Sequence, residues 1–186
     1  MPIQSFSLLS TIIIYIYGGI VCLICLIPRF RKFYIRAINF NVLKKLRTYF
    51  IMLLALLTIF IANLMIFHHT LSSTFDLLTD DYSLTTLLDD RELFQYIIYT
   101  VIIAPIMEEM VFRVPISIWM NRLIYFIVAL LLSSILFALL HREYPLFGFV
   151  LGVVFGMTYK LTKSIVPAIF VHMIWNAFSL FYFNYI

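Results

Sequence analysis

The stretch APIMEEMVFR, residues 104–113, sets two adjacent glutamates and an arginine in a run that is otherwise apolar from 94 to 112. The surrounding chain explains why that matters. Of its 186 residues 64% are hydrophobic and 12% charged, with a mean hydropathy of +1.06, whereas a soluble domain carries roughly 25% charged residues. The composition excludes an ordinary soluble domain and predicts an integral membrane protein. A hydrocarbon core about 30 Å thick takes roughly 20 apolar residues per helical span. Apolar runs place spans near 6–27, 49–67, 94–112, 123–141, 146–159 and 164–184. The predicted fold class is therefore all-α: a polytopic transmembrane helical bundle of about six spans.

The amino terminus, MPIQSFSLLS, has no basic segment and no small-residue cleavage pattern after its apolar run, so the first span is expected to be retained. Cys22 and Cys25 lie in that span without a second pair, which indicates neither a zinc site nor a disulfide framework. Seven basic residues, Arg29, Arg31, Lys32, Arg36, Lys44, Lys45 and Arg47, follow with no acidic residue among them. The positive-inside rule puts this loop, 28–48, in the cytoplasm and the amino terminus outside. The Asp-rich segment from Asp76 to Glu92 then faces out, and alternation assigns Arg122, Lys160 and Lys163 to the cytoplasmic side, in agreement with the same rule. The basic loop also carries Phe30, Phe33, Tyr34 and Phe40, which suits an interfacial helix against membrane lipid. Residues 1–93 thus read as two spans with a basic inner and an acidic outer loop, and 94–186 as the core of one membrane domain. Nothing resembles a nucleic-acid-binding module, and oligomeric state is not legible.

A charge near a bilayer centre costs at least about 2.5 kcal/mol, so the polar groups of residues 104–113 must face partners or water. Glu109 and Arg113 are four residues apart and can neutralise each other on one helical face. Glu108 is turned about 100° away and needs another partner, which makes it the working carboxylate and the Glu109–Arg113 pair a structural lock. Candidate partners are His141, closing the fourth predicted span in FALLH, and His172 with Asn176, sharing a face in HMIWN of the sixth. Facing helices are how bundles assemble polar sites. Counting about 1.5 Å per residue from the turn near Asn121 leaves His141 roughly 10 Å further along than Glu108, so a bend is expected where Pro105 and Pro115 flank the motif.

This set suffices for water-mediated hydrolysis, with a glutamate as general base, a histidine to orient water or protonate a leaving amine, and an asparagine to stabilise an oxyanion. Two histidines and a carboxylate, Glu108, His141 and His172, would equally suit a divalent metal such as zinc. Intramembrane Glu and His also serve proton and ion carriers. The residues alone leave all three open.

In order along the chain, EEMVFR (108–113), FALLH (137–141) and HMIWN (172–176) resemble the EExxxR, FxxxH and HxxxN motifs of the CPBP family of intramembrane proteases. That family includes Ras-converting CAAX endopeptidases and bacterial Abi proteins linked to peptide processing and bacteriocin self-immunity. The resemblance covers about residues 95–180. It implies an intramembrane endopeptidase acting on a membrane-associated peptide or protein, in which Glu108 activates water, His141 and His172 assist, Asn176 stabilises the oxyanion, and Glu109 and Arg113 support the site. It favours glutamate-dependent catalysis with no required metal. A non-proteolytic binding or immunity protein on the same scaffold is the alternative reading. The composition is compatible with a bacterial plasma membrane.

Other features have plainer readings. Gly148, Gly152 and Gly156 recur every fourth residue and predict close approach of a neighbouring helix. His68 and His69 suit solvated interface positions better than a metal site with the nearby aspartates, and Trp119 and Trp175 suit packing or interfacial positions.

Overall fold

The computed structural model describes residues 15–23, 25–68 and 90–182. Residues 15–23 and 25–26 form an amino-terminal helical segment. It leads into α1 (Pro28–Ala37), whose first turn holds Pro28, where a missing N–H is harmless. Arg29, Arg31, Lys32 and Arg36 are exposed while Tyr34 and Ala37 are buried, the two-sided pattern of a helix lying along a boundary. A 3-10 turn, Phe40–Lys44, follows; Asn39 caps it by accepting from the Asn41 N–H at 3.0 Å. Thr48 then donates to Val42 O at 2.6 Å, fastening the turn to the next helix.

That helix, α2 (Leu46–Phe67), has 22 residues, or about 33 Å at 1.5 Å per residue, enough to cross a hydrocarbon core. Its buried residues Thr48, Met52, Ala55, Ile59 and Asn63 form one stripe at helical spacing. The third apolar run is not uniform. It comprises α3 (Asp90–Ile97), a π-helical segment (Ile98–Ile103), α4 (Ala104–Phe112) and a 3-10 segment (Val114–Trp119). Next come α5 (Leu123–Leu140), α6 (Pro145–Thr162) and α7 (Ile165–Tyr182). Thus the fifth predicted span is longer than its expected 146–159, because Pro145 opens it in the first turn and Lys163, with φ 57°, closes it.

Among the described residues, α2, α5 and α6 are long and apolar enough to cross a membrane, and Ile165–Leu180 is a shorter apolar helix. The third run falls outside that measure because helix type changes within it, and the first because its early residues lie outside the described ones. Half of α6 is buried against 22% of α2 and 33% of α5, so α6 is the central helix, with α2, α5 and α7 packed around it. The glycine stripe is why it fits. A Cβ on Gly148 would lie 2.9 Å from His141 Cβ, and one on Gly152 2.8 Å from Ser134 Cβ, so both are close contacts with α5. The outward face of α5, including Ile124, Leu132 and Leu139, is exposed and apolar, as a lipid-facing surface requires. The fold is a helical membrane bundle.

The basic segment is pinned to the far side of the core. Ser164, fully buried in the α6–α7 turn, accepts from the Asn39 N–H at 3.2 Å and donates toward Asn39 O at 3.0 Å. Lys160 donates to Met120 O, tying α6 to the end of the 3-10 segment.

Candidate active site

Pro105 sets the local geometry of the third run. In the π segment the Ala104 N–H donates to Tyr99 O, five residues back. The same register would pair residue 105 with Thr100 O, but proline has no N–H to give. The orphaned carbonyl is taken by a side chain from α7: Asn176 Nδ2 donates to Thr100 O at 2.8 Å. Because an amide NH2 has two hydrogens, Asn176 keeps a second donor at the cavity it helps to line.

Glu108 and His141 line one cavity despite the roughly 10 Å offset counted on straight helices. Ile116 packs with Phe126 and Leu130, Ser133 donates to Phe112 O at 2.7 Å, and Phe112 meets Phe137 edge-on at 5.5 Å. This antiparallel register carries α4 back along α5 in the direction of His141. Two physical effects reduce the offset. The 3-10 segment that begins around Pro115 rises about 2.0 Å per residue instead of 1.5, and Cα–Cβ bonds tilt toward each helix amino terminus, so the two side chains lean toward each other. His141 is folded back by one turn, its Nδ1–H donating to Phe137 O at 2.9 Å, which leaves Nε2 as an acceptor.

His172 lies between the two glutamates. Its Nδ1 is 3.2 Å from Glu109 Oε1, and its Nε2 is 3.8 Å from Glu108 Oε2. A carboxylate on Nδ1 holds the proton there and turns Nε2 toward Glu108. Glu109 also faces Arg113, Oε2 to Nε at 3.5 Å, with both side chains fully buried. Arg113 in turn donates to Ser133 Oγ at 2.8 Å and lies 4.7 Å from the Phe137 ring centre. The expected lock between Glu109 and Arg113 is therefore present, and it reaches further than the spacing implied because it also orients His172.

Aromatic rings fix both imidazoles. His172 stacks on Phe155 with centroids 4.4 Å apart at 21°, and His141 lies 4.4 Å from Phe137. Phe137 is the first residue of FALLH, so its i, i+4 relation to His141 was a usable signal. Phe155, Ser133 and Thr100 carried none, because their roles depend on which helices become neighbours.

Glu108, His141, His172 and Asn176 all line one cavity of about 150 Å³, together with Asn63, Thr100 and the aromatic side chains of Phe147 and Trp175. Trp175 thus has a place in the cavity wall as well as in packing. Glu108 keeps 16% side-chain exposure while Glu109 has none, which separates the accessible carboxylate from the buried one. Among the described residues no three His, Cys, Asp or Glu side chains gather where they could hold a metal ion. His68 is exposed at the left-handed end of α2, and His69 lies outside the described residues.

Comparisons with known proteins agree with the motifs. Residues 90–178 match the family described as Type II CAAX prenyl endopeptidase Rce1-like. A stretch of 92 residues is 38% identical to the membrane-embedded CAAX protease MroQ of Staphylococcus aureus (strain USA300). That stretch is 45% of this chain and 37% of the relative, so the likeness covers little more than a third of the relative's length. No solved structure matches. Over residues 90–178, just under half of the chain, the protein is similar to CAAX proteases of the CPBP family, and it is an integral membrane protein.

Proposed function

We propose that the protein is an intramembrane endopeptidase that hydrolyses a peptide bond in a membrane-associated peptide or protein, with Glu108 as the base. The observation that carries this reading is the placement of Glu108 Oε2 and His172 Nε2 3.8 Å apart on the wall of a polar cavity, with His172 Nδ1 held by Glu109. At that separation both atoms can hydrogen-bond one water. Glu108 takes a proton from that water as the oxygen attacks the scissile carbonyl carbon. The free N–H of Asn176 donates to the resulting oxyanion, while His141 Nε2, an acceptor on the same cavity wall, helps to orient the attacking water. The proton on Glu108 then passes, directly or through His172 Nε2, to the departing amine as the C–N bond breaks. An imidazolium formed on the way is stabilised by the Glu109 carboxylate, and no step needs a metal.

The seven exposed basic residues of 28–48 support a cytoplasmic loop, an outside amino terminus and, with the composition, a bacterial plasma membrane. In that orientation Asn63, Thr100, His141 and Asn176 lie toward the helix ends away from the basic loop, and the substrate enters from the outer half of the bilayer.

The test is peptide mass spectrometry of membrane and secreted fractions from matched cells carrying the parent or Glu108→Gln at equal membrane abundance. A peptide cut only by the parent, with at least about 100-fold loss in the variant, is the expected result for a general base. Identical peptide profiles would instead favour a binding or immunity protein on this scaffold.

A further inference from the structure

We infer that Asn63, on α2, is a substrate-binding residue whose side-chain amide holds a peptide group of the substrate across the cavity; this rests on the peptidase reading. Three observations meet at this residue. It lines the cavity with Glu108, His172 and Asn176. It is 1% exposed, and its Oδ1 has no hydrogen-bond partner. And it lies outside residues 90–178, so the family match does not account for it.

Tyr34 Oη and Ser117 Oγ are likewise buried without a partner, but neither residue lines the cavity, and other polar side chains of the bundle are paired. Thr48, the other polar member of the same buried stripe, donates to Val42 O at 2.6 Å. Thr58, Ser134 and Thr158 each donate to the carbonyl one turn back. Asn176, the other amide on this wall, is occupied by Thr100 O. An asparagine amide that finds no partner in an apolar bundle destabilises it, since a buried polar group loses its hydrogen bonds to water. A leucine of similar size would fit the same place on α2 without that penalty.

The chemistry of the amide identifies its ligand. It offers one carbonyl acceptor and one NH2 donor side by side, which matches the N–H and C=O of a peptide backbone. A half-turn about χ2 exchanges the two ends, so either can face the cavity. The catalytic groups come from α4, α5 and α7, and α2 supplies a polar group on a further side of the same space. A peptide held there is fixed between Asn63 and the Glu108–His172 pair, with Phe147 and Trp175 offering apolar surface to its side chains. The substrate class is therefore an extended hydrophobic peptide segment read through its backbone.

The experiment compares parent, Asn63→Leu, Glu108→Gln and the double variant, each purified in lipid nanodiscs. Thermal unfolding is recorded with and without a pool of acetylated, amidated hydrophobic hexapeptides, and cleavage of the pool is followed by mass spectrometry. Asn63→Leu alone should unfold at an equal or higher temperature than the parent. The peptides should stabilise Glu108→Gln, with that shift lost in the double variant, and Asn63→Leu should lower kcat/KM about 3- to 10-fold, the size of one hydrogen bond. A fall in unfolding temperature on Asn63→Leu alone would show that the amide supports the fold and would overturn the proposal. So would peptide stabilisation or cleavage that is unchanged by Asn63→Leu, a result that leaves the peptidase reading standing. Peptide stabilisation of Glu108→Gln that is lost in the double variant, without cleavage by the parent, would keep Asn63 as a peptide-binding residue and remove the peptidase reading. Absence of any peptide effect in either assay would overturn both.

Discussion

Replacing Gly152 by alanine tests the contact on which the bundle is centred. An added Cβ would lie 2.8 Å from Ser134 Cβ and 2.9 Å from Ser134 Cα, whereas carbon atoms rest about 3.5–4.0 Å apart. Ser134 Cα is backbone and Ser134 Oγ is already committed to Leu130 O at 2.7 Å, so neither can swing aside. The helices α5 and α6 must separate by about 0.7–1 Å, an overpacking that costs roughly 1–3 kcal/mol. Alanine returns about 1 kcal/mol of helix propensity over glycine, which leaves a net loss of up to about 2 kcal/mol. For a chain of this length that lowers the unfolding temperature by up to about 8 °C. The assay is thermal unfolding in nanodiscs followed by intrinsic fluorescence, with Gly19→Ala as control, because nothing lies within 4 Å of a Cβ at Gly19. The control should be neutral or slightly stabilising. Equal shifts in unfolding temperature for Gly152→Ala and Gly19→Ala would refute the close-packed interface.

Arg113→Met strands Glu109 in a fully buried place with only His172 beside it, and should destabilise by about 3–5 kcal/mol; adding Glu109→Gln should recover much of that, as read by the yield of folded protein and its unfolding temperature. Asn176→Ala removes the donor to Thr100 O, at about 1–3 kcal/mol, and should raise amide hydrogen exchange in the π segment and α4 more than in α6. Ser164→Ala breaks the clasp on Asn39 and should speed tryptic cleavage at Lys44 and Lys45, with α5 and α6 unaffected. Gly148→Ala pushes on His141, 2.9 Å from the new Cβ, so in a cleavage assay it should lower turnover more than Gly19→Ala does.

The residues with roles tied to their own helix were legible in the chain. The apolar runs defined a helical membrane bundle because a bilayer demands long stretches free of charge, and the basic loop stood out against them. The Glu109–Arg113 pair followed from i, i+4 spacing and is present as expected. Glu108 could be separated from Glu109 by helical rotation alone, and their different exposure agrees. The glycine stripe announced a close neighbour, though which helix it would be did not follow from the stripe.

What tertiary structure decided are the relations between helices. Counting residues on straight helices left Glu108 and His141 apart; the 3-10 segment at Pro115 and the opposed lean of side chains on antiparallel helices reduce the gap, and both residues line one cavity. Asn176 met Thr100 O only because Pro105 leaves that carbonyl without a donor, a consequence of π-helical register that no motif records. His172 could be placed on α7, but its position between two carboxylates and against Phe155 depends on α4 and α6 arriving from other directions. Asn63 was one polar residue in an oily span until packing set it, unpartnered, in the wall of the cavity. Periodicity encodes which face of a helix a residue occupies, whereas the partner across that face depends on contacts between segments far apart in the chain, and these are settled only when the bundle packs.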